Sequence, residues 1–151
     1  MNRRAFVIGL GAVLAAPFAA EAQEPGKIPR IRVMHEIPAA LVFQALRKGL
    51  AELGYVEGQH VHLEYRWSKD AGSLAVQMVQ SRFDVIVPMT SGAARAVKQA
   101  TDIVPIVFCS VGEDPVRRGW ISSFARPGGN ATGTVTLAVE LESKRLFGRI
   151  R

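Results

Sequence analysis

The chain has 151 residues, 48% hydrophobic and 21% charged, with 14 glycines, 8 prolines and one cysteine. That composition excludes a disordered or low-complexity polypeptide, and the length suits one ordinary domain with a real core, not a multidomain enzyme. The lone Cys109 excludes an internal disulfide framework and a cysteine-rich zinc module, and the net charge of +6 is spread over short clusters (Arg30/Arg32, Arg117-Arg118, Lys144-Arg145) with no aromatics interleaved, so no nucleic-acid footprint is expected.

Met1-Asn2-Arg3-Arg4, the uncharged run Ala5 to Ala20 and the small-x-small site Ala20-Glu21-Ala22 have the layout of a signal peptide over residues 1–22. The run is shorter than the ~20 residues that span a bilayer, so a soluble, exported, periplasmic protein is expected. Arg3-Arg4-Ala5-Phe6-Val7 also resembles a twin-arginine signal, which leaves both Sec and Tat export open.

After a Pro/Gly/charged leader, Ile31 to Met34 opens a first strand. Phe43, Leu46, Leu50 and Leu53 then mark one helical face, closed by Gly54. Val61, Leu63, Tyr65 and Trp67 alternate with polar residues, which fits an outer strand covered on one face. Asp70 or Ser73 caps a second helix carrying Leu74, Ala75, Met78 and Val79; Asp84 to Val87 reads as a buried strand without alternation. Thr90 or Ser91 caps a third helix to about Ala100, and a strand runs from Ile106 to Cys109, since Pro105 lacks a ladder donor. A short helix with Trp120, Ile121 and Phe124 is expected after Asp114-Pro115, then a strand from Ala131 to Leu137 and a last helix from Glu140 to Ile150. This alternation predicts an α/β fold, a doubly wound parallel sheet ordered 2-1-3-4-5, whose ligand lies beyond the carboxyl ends of the strands where the order reverses.

The segments there are His35 to Ala40, Met89 to Ala94 and Ser110 to Pro115. Small hydroxyl residues and a glycine at the start of the third helix suit an anion, although Thr90 or Ser91 acting only as a cap explains the same residues. Neither a dinucleotide glycine motif nor a P-loop is present, and no cofactor is expected. His35 beside Glu36 offers an acid–base pair and Cys109 a nucleophile, against the plainer readings of a polar loop and a small buried hydrophobe. His60 and His62 share a strand face without further metal ligands.

The runs Gly54-Tyr55-Val56-Glu57-Gly58-Gln59, Glu64-Tyr65-Arg66-Trp67, Pro105-Ile106-Val107-Phe108, Asp114-Pro115-Val116 and Arg126-Pro127-Gly128-Gly129-Asn130-Ala131-Thr132-Gly133, in this order, resemble the ABC-transporter substrate-binding family that includes tryptophan- and tyrosine-type binding proteins. The resemblance covers nearly the whole chain. It implies two doubly wound lobes closing over a small ligand and delivering it to a permease in the inner membrane, without catalysis and without a bound metal. On that pattern residues 23–137 are the N-terminal lobe, residues 138–151 begin the crossover helix, and the second lobe is missing, as in a truncated product. The implied half-site is Thr90, Ser91, Gly92 and Ala93, holding a carboxylate, with Ser110 and with Asp114 accepting from an ammonium group. The alternatives are a small flavodoxin-like enzyme using His35/Glu36 or Cys109, and a non-functional fragment.

Overall fold

The computed structural model describes residues 27–136; the expected signal peptide and the expected helix from Glu140 to Ile150 lie outside them. The element order is β1 (Arg30–His35), α1 (Ala40–Glu52), β2 (His62–Trp67), α2 (Ala71–Gln80), β3 (Val85–Pro88), α3 (Ser91–Ala100), β4 (Ile106–Val111) and β5 (Ala131–Val135). All strand pairs are parallel and the sheet runs β2-β1-β3-β4-β5. The expected strand order is therefore found, with β2 on the outer edge.

The alternation of each strand decides which layer it supports. Met34, Ile86, Ile106 and Phe108 project to the face covered by α2 and α3, where they meet Ala75, Met78, Ala93, Ala94 and Val97. Burying each large apolar side chain contributes roughly 1.5–3 kcal/mol against a similar entropic cost, so this layer is the main core of the described residues. On the opposite face Val33 and its register neighbour Tyr65 lie under α1, whose Phe43 stacks on the Tyr65 ring at 5.2 Å between centroids. No residue of α1 is buried.

Local signals place the helix ends. Asp70 is the cap of α2, accepting from the Ser73 amide at 3.0 Å, and Thr90 caps α3 by accepting from the Ala93 amide at 3.1 Å. Gly54, at φ +87°, ends α1 in the left-handed region that glycine enters without a steric penalty. The expected helix after Asp114-Pro115 is a correction: the segment is a run of turns. Asp114 Oδ1 accepts from the Val116 and Arg117 amides, and Gly119 at φ +71° stops helical winding after one turn. Trp120 and Ile121 are buried and Phe124 is exposed.

Two polar devices tie distant segments. Arg32, 8% exposed, pairs with Glu64 at 2.8 Å and lies 3.6 Å from the centroid of the Phe83 ring. Asn130 precedes β5 and donates to the Thr101 and Val104 carbonyls at 3.2 and 2.8 Å while accepting from Lys98 Nζ at 2.8 Å. Asn130→Ala leaves those carbonyls without their donor. It is expected to cost about 1–3 kcal/mol, read as a lower urea midpoint with an unchanged slope.

Candidate ligand-binding site

The sheet reverses direction of growth between β1 and β3, so the loops leaving those two strands diverge and leave a crevice at their carboxyl ends. The first wall is residues 36–39. Tyr65 braces it from β2: its hydroxyl donates to the Ile37 carbonyl at 3.0 Å and accepts from the Ala39 amide at 2.6 Å. His35 Nδ1 accepts from the Ile37 amide at 3.1 Å. His35 is thus engaged in its own turn.

The second wall is the start of α3. Thr90 Oγ1 donates to Glu36 Oε2 at 2.5 Å while it accepts from Ala93, so the cap hydroxyl joins the two walls. The Glu36 carboxylate lies directly over Gly92: a Cβ there would sit 2.1 Å from Oε1. The bare Cα of Gly92 leaves room for that approach; a larger residue there would make the Glu36 carboxylate swing aside. Ser91 turns to the third wall, its Oγ accepting from the Gly112 amide at 3.0 Å.

That third wall follows β4. Ser110 has φ +54°, an uncommon conformation for a residue with a Cβ, at the register shift between Phe108 and Val111. Strain of this kind costs roughly 1–3 kcal/mol and is concentrated at functional loops. Beyond it, Glu113 sits between Arg95 of α3 and Arg118, and Glu113, Asp114, Arg117 and Arg118 line an open cavity of about 440 Å³. Small-molecule sites are commonly of this size.

The structure places Thr90, Ser91, Gly92 and Ala93 at the start of α3, tied through the Ser91–Gly112 hydrogen bond to the loop carrying Ser110 and Asp114. Two donors expected to face a ligand carboxylate are engaged within the chain: the Thr90 hydroxyl with Glu36, and the Ala93 amide with Thr90. Sequence reading placed Glu36 in the switch-point loop but missed its bond to Thr90, and it missed Tyr65 as the brace. The available signal for Glu36 was Gly92, a poor helix former in a first turn facing the switch-point loop. Cys109 is half buried, and desolvation pushes its thiol above the ordinary value, the reverse of what a nucleophile needs. Among the described residues no group of three or more His, Cys, Asp or Glu side chains is placed to hold a metal ion, and no helix is long and apolar enough to cross a membrane.

Tyr65→Phe removes both hydrogen bonds to the first wall while keeping the stack on Phe43. The expected result is a loss of about 1–2 kcal/mol and faster hydrogen exchange at Ala39, with exchange in α3 little changed. Equal exchange rates at Ala39 in the two proteins would rule out the bracing role.

Residues 31–144 match the family model described as ABC transporter substrate binding protein. The chain belongs to that family. A tyrosine-binding protein of Clostridioides difficile (strain R20291) is 31% identical over 91 residues, covering 58% of this chain and 26% of the relative. Among solved structures, a conserved domain protein from Vibrio cholerae superposes with a TM-score of 0.69 at 30% identity, over 80% of this chain and 43% of the other. The ABC domain from Streptococcus pneumonia in complex with L-Trp superposes at 0.64 with 25% identity, over 72% of this chain and 39% of the other. The chain therefore spans less than half the length of these relatives. Membership of a family of substrate-binding proteins, not enzymes, sets aside the catalytic readings of His35/Glu36 and Cys109.

Proposed function

We propose that this chain is the N-terminal lobe, residues 23–137, of a periplasmic substrate-binding component of an ABC importer, delivering an amino-acid-like or carboxylate solute to an inner-membrane permease. Residues 1–22 would direct export through Sec or Tat, and residues 138–151 would begin the crossover toward a second lobe. The ligand would lie against Thr90, Ser91, Gly92, Ala93, Ser110 and Asp114. What supports the reading most is that the chain belongs to this family, with Thr90 to Ala93 following β3 at the switch point of its sheet. The names of two relatives, one tyrosine-binding and one complexed with L-Trp, favour an aromatic amino acid.

Thermal unfolding of the purified chain across a panel of amino acids and small acids tests this. A ligand held only by the folded lobe adds about 2.7 kcal/mol at a concentration one hundredfold above Kd, which raises Tm by several degrees. Aromatic amino acids are expected to give that rise at millimolar concentration. An unchanged Tm across the panel would overturn the proposal.

A further inference from the structure

Four acidic side chains of the described lobe are partly buried: Glu36, Glu64, Asp84 and Glu113. Three of them hold cations: Glu64 holds Arg32 and Arg66, Asp84 holds Lys27, and Glu113 holds Arg95 and Arg118. Glu36 alone among them has no ion-pair partner within the described residues; its contact is the Thr90 hydroxyl. A buried carboxylate is ordinarily compensated by a positive charge, and this one, partly buried, lies between the loops after β1 and β3 against the first turn of α3 with no cation of the described residues beside it.

We propose that Glu36 is the acceptor for the ammonium end of the ligand, so that this lobe reads the cationic group of an amino-acid-like solute and not its carboxylate. The assignment rests on the binding function proposed above. The Thr90 bond takes one of about four acceptor positions on the carboxylate and leaves the others for a donor from the ligand. Tyr65 holds Ile37 and Ala39 of the same loop, the Thr90 hydroxyl holds the carboxylate, and the bare Cα of Gly92 leaves room for it. A ligand carboxylate at the start of α3 would instead meet a like charge, and would find the Thr90 hydroxyl and Ala93 amide already engaged. Asp114 is the weaker candidate acceptor, since its Oδ1 is held by two amides of its own turn.

The test titrates the full chain and its Glu36→Gln variant with L-tryptophan, with tryptamine, which lacks the carboxylate, and with indole-3-propionate, which lacks the ammonium group. Glutamine keeps the length of the side chain and an oxygen for Thr90 but removes the charge. The expected result is at least a tenfold loss of affinity for L-tryptophan and tryptamine, with indole-3-propionate bound as well as before or more tightly. An equal loss for all three probes would make Glu36 only a brace of the loop and overturn the assignment. A gain for L-tryptophan would make it a competitor of the ligand carboxylate, which also overturns it. If the unmodified chain binds none of the three, nor any amino acid of the thermal panel, the binding function itself fails and the assignment with it.

Discussion

Gly133→Ala is expected to cost about 3 kcal/mol or more, a large fraction of the stability of a small domain. The reason is geometric. Gly133 in β5 has φ +151° and packs so closely against β4 that a Cβ would lie 1.9 Å from the Phe108 carbonyl oxygen and 2.6 Å from its ring. The oxygen belongs to the backbone of a paired strand, so relief requires β5 to separate from β4. Relaxation by a rotamer change would suffice only for the ring. Gly128→Ala, facing the Ser122 hydroxyl, is the milder comparison, because a flexible side chain yields there. Equal urea midpoints for Gly133→Ala and the unmodified chain would refute the close-approach argument.

The second large effect is expected at Glu64. Glu64→Ala strands the guanidinium of Arg32 beneath Phe83 with its carboxylate partner gone. Breaking a buried pair in this way costs about 3–5 kcal/mol; with the Glu64 side chain about one-fifth exposed and water able to reach the gap, about 2–3 kcal/mol is expected. The double variant Arg32→Met/Glu64→Leu should recover most of that loss, because it removes both charges from the layer. If it is no better than Glu64→Ala, the pair is not the source of the effect.

The same residue predicts a pH dependence. Burial pushes the Glu64 carboxyl upward, but the hydrogen bond and charge of Arg32, with Arg66, outweigh it and hold the group below its ordinary value of 4.5. The hydrogen bond from Lys27 and the Arg30 amide lower Asp84 in the same direction, from 3.8. Groups depressed on folding contribute stability above their unfolded values and lose it as pH falls through the folded ones. The fold should therefore weaken below about pH 4.5, and Glu64→Ala should flatten that decline in an acid titration followed by circular dichroism.

The fold was legible because its signals are local and agree with one another. Alternation in Val61 to Trp67, continuous apolarity in Asp84 to Val87 and the caps Asp70 and Thr90 each name one element, and alternating elements leave few topologies. The segment after Asp114 was misread because its apolar residues do fall at helical spacing. Gly119 and the Asp114 turn decide against a helix there, and Phe124 consequently faces solvent. At the candidate site the sequence located the right loops but not their internal bonding. Whether the Thr90 hydroxyl faces a ligand or Glu36 depends on a contact across 54 positions of sequence, which no spacing encodes.

The two helical layers are also unequal in how readily they detach. The α2/α3 side is a continuous buried cluster, whereas α1 has no buried residue and meets the sheet chiefly through Phe43 on Tyr65. Subglobal opening should begin with α1, whose amides would exchange through a fluctuation smaller than global unfolding. Since α1 starts where the loop bearing Glu36 ends, the opening coordinate of this helix and the rigidity of that wall are one variable. Any solute that anchors the loop raises the free energy of the opening by RT ln(1 + L/Kd), with L the free solute concentration, so occupancy can be read as protection spreading along residues 40–52.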